Sequence, residues 1–436
     1  MIELDNIDIK LNYLSYNLIR EIKYIYNILS NAMKIELNEI VKDIMIIMNR
    51  YFENKKIIQF DTKIKYNMIE STVILIERID IISTSNTILR KMNMMDTYIL
   101  YYNTSDITSK HEQNSHFNET VVSFYYNKSD NKIILEKNIH KIMIRLYNLF
   151  SLYGDKNPNI MKMKYEFYLY NNPRCADKNK YGKKYLISLK NSKMKKFNTS
   201  SGVTIFKKNK IIVSRTEDCI GLLTHEVLHA CDIINVDIGI MVHGILVNFT
   251  EAYVNMFASI INAYLTFYEM IRHSKTDNTI LLNQLIMIEV IHSITHSSKL
   301  ARISSYKLNT ILDINNMISW YQDAFMYEYI IVKMLLLINF KDMMKNKKFA
   351  STFLSYGEVW GDNDTFNDMI KNNFKKYSLA DNNMIKEIDN IYSQYLDKNN
   401  YNIMIMQYNA IDVMIMEDDY KDKYMKYKIK YLELQK

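Results

Sequence analysis

The pentapeptide HEVLH, at residues 225 to 229, combines side chains that can bind a divalent cation with one that can move a proton. A chain with 9 histidines in 436 residues would contain this pattern by chance about 0.01 times. On a helix, His225 and His229 lie one turn apart on the same face, so their imidazoles can share a tetrahedral zinc ion. Glu226 can then take a proton from a water molecule that the metal acidifies. The spacing predicts a zinc-dependent hydrolytic site, with two buried structural histidines as the alternative.

A third protein ligand is expected on the apolar segment GILVNFTEAYVNMFASIINAYLTF, residues 244 to 267, which is predicted to be a helix. A zinc hydrolase keeps three protein ligands and an open fourth position. Glu251 is the only acidic residue of this segment, and a lone carboxylate on an apolar helix is costly unless a cation lies beside it. Glu251 is therefore the predicted third ligand. A surface glutamate on an amphipathic helix is the alternative.

HEVLH followed by a glutamate on a later helix resembles the gluzincin metallopeptidases, and the likeness covers residues 200 to 270. The resemblance implies a zincin-like core in which His225, His229 and Glu251 bind one zinc ion. Glu226 would be the general base and acid of peptide-bond hydrolysis. The resemblance also implies that the strand VTIF, residues 203 to 206, or its partner aligns an extended peptide or protein substrate by main-chain hydrogen bonds.

One residue expected to support the metal ligands differs from the gluzincin pattern. Many gluzincins carry an aspartate four residues after the glutamate ligand, where it orients a zinc-bound histidine, and this chain has Asn255 there. An amide can accept a hydrogen bond from an imidazole but adds no charge, which predicts weaker metal binding or activity. Asp232, one turn after His229, is a second candidate for holding that ring. The metzincin pattern fits less well, because Asp232 and Asn235 stand where its glycine and third histidine belong.

A hydrolase of this type also needs a donor that stabilises the oxyanion, commonly a histidine or a tyrosine. The sequence does not choose among several candidates, for each of which a structural or surface role is the alternative. They are His243, Tyr253, Tyr264, His292 and His296.

The elements that must position these residues are predicted to form a mainly α fold with a small β-sheet, an α+β protein. Six of the 8 glycines and both prolines lie between residues 151 and 250, where the chain must turn tightly. Before and after this block, apolar residues recur at helical spacing. Three regions are therefore predicted: a helical amino-terminal region at 1–160, the zincin-like core at 161–275, and a helical carboxyl-terminal region with a basic tail at 276–436.

Individual elements follow from local patterns. Strands are predicted at KYEFYLY (164–170) and KYLISL (184–189), and VTIF with IIVS (211–214) predicts a hairpin. Ser214 and Glu217 predict a capping box that opens the HEVLH helix, which would run to about Ile233. Amphipathic helices are predicted at residues 13–33, 67–82, 278–301 and 319–340.

Charge and cysteine content indicate the class of protein. The 56 basic and 48 acidic residues are spread along the chain, so the net charge of +8 is typical of a solvated surface rather than a nucleic-acid interface. Three cysteines without CxxC spacing indicate a reducing compartment. No signal peptide and no transmembrane segment are predicted. A soluble intracellular protein is expected, and the sequence does not indicate its oligomeric state.

A looser likeness concerns NTSSGVTI and IIVSRTED before the HEVLH helix, together with the lysine- and tyrosine-rich tail. These features resemble uncharacterised HExxH proteins of giant DNA viruses, which implies a location in the host cytoplasm or the virion. The alternative to a peptidase is a catalytically inactive, metallopeptidase-like protein with a structural or virion-associated role.

Overall fold

The computed structural model shows a mainly helical protein with a small mixed sheet, which confirms the predicted α+β class. No described helix is long and apolar enough to cross a membrane. The structure describes residues 2, 4, 13–62, 67–73, 95–101, 120–127, 132–169, 175–177, 202–214, 216, 218–231, 239–242, 245–270, 278–303, 308, 328–344, 382–398, 403–405, 410, 411 and 414.

Helices make up most of the described chain, and their apolar faces share one buried core. The helices predicted at residues 13–33 and 278–301 are confirmed, although the first is divided in two by a break near Ser30. The helices are α1 Tyr13–Ile28, α2 Asn31–Phe52, α3 Lys132–Tyr153, α4 Cys219–Ala230, α5 Thr250–Met270, α6 Asn278–Ile303, a π-helix Glu328–Val332, α7 Lys333–Ile338, α8 Phe340–Met344 and α9 Asn383–Lys398.

The main sheet has the strand order β1-β2-β3-β4-β7-β6, and two further strand pairs join β5 with β10 and β8 with β9. Strands β3, β4 and β7 are parallel, whereas β6 pairs antiparallel with β7 at an outer edge of the described sheet. The strands are β1 Asn67–Val73, β2 Met95–Tyr101, β3 Val121–Asn127, β4 Lys164–Leu169, β5 Cys175–Asp177, β6 Gly202–Ile205, β7 Lys210–Ser214, β8 Gly239–Val242, β9 Ile245–Asn248 and β10 Ile403–Ile405.

The strand predicted at residues 164–170 and the hairpin formed by VTIF and IIVS are confirmed as β4, β6 and β7. The strand predicted at residues 184–189 lies outside the described residues. Consecutive side chains of the central strands are buried, for example Phe124, Tyr125 and Phe167, as expected for parallel strands that are covered on both faces.

Two predicted helices are wrong in part. Residues 67–73 form β1, because pairing with β2 and the β-branched residues of this segment outweigh its helical spacing. Residues 245–248 form β9, so the helix predicted at 244–267 begins only at Thr250. From the helix predicted at 319–340, the described part begins with the π-helix and continues as α7.

The start of α4 also differs from the prediction. Ser214 is not its N-cap, because pairing with Tyr168 of β4 keeps Ser214 extended at the end of β7. Asp218 takes the N-cap position instead, with a left-handed φ of 64°. Helix α4 ends at Ala230 with Cys231 as its C-cap, and it packs against β6, β7, α3 and α5. It is therefore held on the sheet next to the outer strand.

Candidate metal and catalytic site

Helices α4 and α5 bring the three predicted ligands together. Nε2 of His229 lies 3.0 Å from Nε2 of His225 and 3.0 Å from Oε2 of Glu251. Nε2 of His225 lies 3.5 Å from the same carboxylate oxygen. In the described part of the chain, no other group of three His, Cys, Asp or Glu side chains converges in this way.

The three ligand atoms fit a tetrahedral cation. Bonds of about 2.0 to 2.2 Å to zinc place tetrahedral ligand atoms roughly 3.3 to 3.6 Å apart. The observed separations of 3.0, 3.0 and 3.5 Å are close to these values, so small side-chain shifts would suffice. Two imidazoles and one carboxylate are also a ligand set of catalytic zinc sites. A tetrahedral cation on these three ligands would have a fourth position for a further ligand.

The charges of the site favour a cation. Burial raises the pKa of Glu251, but hydrogen bonds and charges from His225 and His229 outweigh burial and hold that pKa well below its usual value. Burial lowers the pKa of His229, but its bond to Glu251 and the nearby carboxylates produce a net rise. Glu251 is therefore anionic beside two imidazoles, which is the electrostatic arrangement that a divalent metal would stabilise.

Glu226 lies beside the ligand group rather than in it. Its carboxylate faces β6, where Oγ1 of Thr204 lies 2.8 Å from Oε2 and 2.9 Å from the Glu226 carbonyl oxygen. Gly202 on the same strand leaves the space for this carboxylate, since a Cβ there would lie 2.9 Å from Cδ of Glu226. Burial raises the pKa of Glu226, although the two histidines and Thr204 oppose the rise. A buried carboxylate with a raised pKa is suited to take up and return a proton.

Tyr329 completes the site, and the sequence did not predict it. Its hydroxyl donates to Oε2 of Glu251 at 2.8 Å, and its ring centroid lies 5.8 Å from that of His225. The residue comes from the π-helix Glu328–Val332, far along the chain from both ligand helices. Nothing distinguishes it in a sequence with 35 tyrosines.

The structure gives the described oxyanion-donor candidates other surroundings. Tyr264 donates its hydroxyl to Oδ1 of Asn49 on α2 at 2.8 Å. Tyr253 is fully buried and its ring packs on Phe257. His292 and His296 are buried on α6 with their rings stacked on each other at 5.2 Å. His243 and Asp232 lie outside the described residues.

Asn255 lies one turn after Glu251 on α5 and is 2% exposed. Its Nδ2 donates to the backbone oxygen of Tyr329 at 3.0 Å. The amide therefore joins the ligand helix to the segment that carries Tyr329. Its role behind a metal-binding histidine stays a prediction.

A buried network around Arg145 of α3 fixes the two ligand helices to each other. The guanidinium bonds Glu269 of α5 through several contacts, the shortest being 2.7 Å from Nη2 to Oε2. Its Nη1 donates to Oγ1 of Thr224, next to His225 on α4, at 3.2 Å and to Oδ1 of Asn262 on α5 at 2.6 Å. Arg145 and Glu269 have no exposed side-chain surface. A lone arginine in the apolar run KIMIRLYNLF is the sequence signal that indicates such a pair.

Comparison of the chain with known protein families, with curated proteins and with solved structures finds no match. A fold alone does not define a reaction, so any function has to be argued from the chemistry of the site. The arrangement that bears on this question consists of three converging ligand atoms, a separate buried carboxylate and a tyrosine hydroxyl.

Proposed function

We propose that this protein is a zinc-dependent metallopeptidase with a zincin-like core formed by α4, α5 and the sheet edge at β6. The observation that carries the proposal is the convergence of His225, His229 and Glu251 within 3.5 Å of one another, with Glu226 adjacent but outside the group. A metal site and a general base are thus side by side, as metal-assisted hydrolysis requires.

Zinc bound at the three ligands would polarise the carbonyl of a peptide bond and lower the pKa of a water molecule. Glu226 would take the proton from that water and later deliver it to the leaving amine. Thr204 holds the carboxylate by a hydrogen bond to Oε2, and Gly202 leaves the room in which it lies. These two residues of β6 would keep the base in one orientation during the proton transfers.

The substrate would be an extended peptide that pairs with β6. In the described sheet, β6 has one paired edge, toward β7, and its residues are partly exposed. A peptide can add to such an edge by main-chain hydrogen bonds. Since the Glu226 carboxylate lies against this strand, a peptide bound along β6 would place a peptide bond next to the base.

Tyr329 is the donor that we assign to the developing oxyanion. Its hydroxyl is at the ligand group, 2.8 Å from Glu251 Oε2, whereas the hydroxyl of Tyr264 is bonded to α2. The hydroxyl has one proton, which Glu251 accepts here, so it would turn to the oxyanion once zinc occupies that carboxylate oxygen. A donor next to the metal stabilises charge that forms only in the transition state. Loss of one such donor typically lowers kcat by about 100- to 1000-fold.

The proposal is tested by metal analysis and by turnover of a mixture of internally quenched peptides of random sequence. The wild-type protein should contain about one zinc ion per chain and cleave some of these peptides. Glu226→Gln should keep the zinc and lose turnover, because the amide cannot accept the proton.

Glu166→Gln is the matched control, since Glu166 pairs with Lys210 on the sheet at 2.7 Å and lies outside the site. This variant should retain both zinc and turnover. A wild-type protein without metal would overturn the proposal. A zinc protein that cleaves no peptide would favour the inactive, metallopeptidase-like alternative.

A further inference from the structure

Tyr329 makes two hydrogen bonds to residues of α5. Its side-chain hydroxyl donates to Glu251, and its backbone oxygen accepts a hydrogen bond from the Asn255 amide one turn further along the helix. The backbone bond is 3.0 Å long, and Asn255 is buried. Breaking this bond is costly, because the buried Asn255 amide would lose its acceptor.

The hydrogen bond to the Tyr329 backbone requires a donor such as the side-chain amide of Asn255. The carbonyl of Tyr329 is an acceptor, so its partner must donate, and Nδ2 of asparagine does so. An ionised aspartate at the same place has only acceptor oxygens and would repel the carbonyl. The asparagine at this position therefore suits a contact with the Tyr329 backbone.

The segment that carries Tyr329 is an unusual one. Residues 328–332 form a π-helix that packs between α5 and α6, where Oγ of Ser297 lies 3.4 Å from the next carbonyl, that of Ile330. A single π-helical turn is uncommon and is often found at functional sites. The Asn255 bond acts at the residue whose side chain reaches the ligand group.

We propose that Asn255 is a positioning residue, which fixes the Tyr329 hydroxyl on the Glu251 carboxylate by holding the Tyr329 backbone. The inference rests on the proposed metal site but not on turnover. It differs from the interpretation drawn from the sequence, in which position 255 holds a zinc-binding imidazole. If Asn255 acts through Tyr329, its removal has no consequence at the metal once the tyrosine hydroxyl is gone.

A double-mutant cycle on the zinc dissociation constant distinguishes an Asn255 that acts through Tyr329 from an Asn255 that holds a zinc-binding imidazole. Zinc binding is measured by competition with a chromogenic chelator for the wild type, Asn255→Leu, Tyr329→Phe and the double variant. Loss of a group that orients a metal ligand typically lowers metal affinity about 10- to 100-fold. Each single variant should therefore bind zinc about 10-fold more weakly, and the double variant should bind no more weakly than Tyr329→Phe alone.

Additive losses in the double variant would overturn the inference, since they would mean that Asn255 acts independently of the tyrosine. Ser259→Ala is the matched control on the same helix, because Ser259 bonds the backbone oxygen of Asn255 rather than its side chain. Its effect on zinc binding should be small and additive with Tyr329→Phe.

A variant of the same size covers the case in which Asn255→Leu does not fold. Asn255→Asp, measured at pH 8, should weaken zinc binding when Tyr329 is present. In the Tyr329→Phe background the same substitution should weaken zinc binding no further. Tighter zinc binding in both backgrounds would instead support contact with an imidazole and would contradict the inference. If a substrate is cleaved, Asn255→Asp should lower kcat with little change in KM.

The result is distinguishable from failure of the proposed function. Zinc binding with the expected coupling but without turnover would leave the inference standing and remove the peptidase. A wild-type protein that binds no zinc would remove both.

Discussion

Gly202 of β6 lies directly against the carboxylate of Glu226 on α4. A Cβ at this position would be 2.9 Å from both Cγ and Cδ of Glu226, closer than van der Waals contact permits. The Glu226 carboxylate can therefore lie in this position against the strand only because residue 202 has no side chain. We infer that the position of Glu226, the proposed general base, depends on this glycine.

Gly202→Ala should displace the Glu226 carboxylate and lower kcat by about 100-fold, since misplacing a reacting group by about 1 Å has an effect of this size. The zinc content should be unchanged, because the atoms nearest to a Cβ at residue 202 belong to Glu226, which is not one of the three proposed ligands. Steady-state kinetics and metal analysis test the prediction. Val203→Ala on the same strand is the control and should retain most of the activity. Equal activity of both variants would show that the close approach has no catalytic role.

The Arg145 network should contribute to stability through a fully buried ion pair. Arg145→Met leaves Glu269 without its charged partner, and breaking a buried pair in this way costs about 3 to 5 kcal/mol. The free energy of unfolding, measured by urea denaturation, should fall by this amount.

The control for this prediction is Lys341→Met. Lys341 pairs with Asp43 at 3.2 Å, but its side chain is 62% exposed. Exposed pairs contribute about 0 to 1 kcal/mol, so the loss should be correspondingly small. A loss of similar size in both variants would mean that burial of the Arg145 pair does not matter.

The stability of the protein should respond to pH through Glu289 of α6. Burial raises the pKa of Glu289 from 4.5 to about 7, although Lys333 and the backbone amides of Ala410 and Ile411 oppose the rise. The folded protein then holds a proton that the unfolded chain releases above pH 4.5. The contribution of Glu289 is therefore full below pH 4.5 and is lost as the pH rises through about 7.

Glu289→Gln should remove this dependence. The difference in unfolding free energy between the wild type and the variant, measured across pH 4.5 to 7, should shift against the wild type as the pH rises. Comparison with the variant is needed because the raised pKa of Glu226 also makes the protein less stable as the pH rises above 4.5. A difference that is constant over this range would contradict the raised pKa.

The convergence of His225, His229 and Glu251 could be predicted from sequence, because the patterns that indicate it are local. His225 and His229 are related by one helical turn, and Glu251 is conspicuous as the lone acidic residue of an apolar segment. The hairpin and strand β4 were also predictable, since short runs of β-branched and aromatic residues define them.

The supporting residues could not be predicted in the same way, because their contacts join distant parts of the chain. Tyr329 reaches Glu251 across 78 positions, and Arg145 reaches Glu269 across 124. The family pattern predicts that Asn255 faces an imidazole, whereas its amide donates to the backbone oxygen of Tyr329. Gly202 carried a signal, since a glycine inside a strand often marks the close approach of another group.

Zinc K-edge X-ray absorption of the purified wild-type protein and of Glu251→Ala tests the central claim most directly. The account predicts about one zinc ion per chain in the wild type, bound by two imidazole nitrogens and a carboxylate oxygen at about 2.0 to 2.2 Å. The carboxylate oxygen should be lost in Glu251→Ala, with a weakened affinity for zinc. A wild-type protein that retains no metal, or a zinc environment that is identical in the variant, would contradict the account.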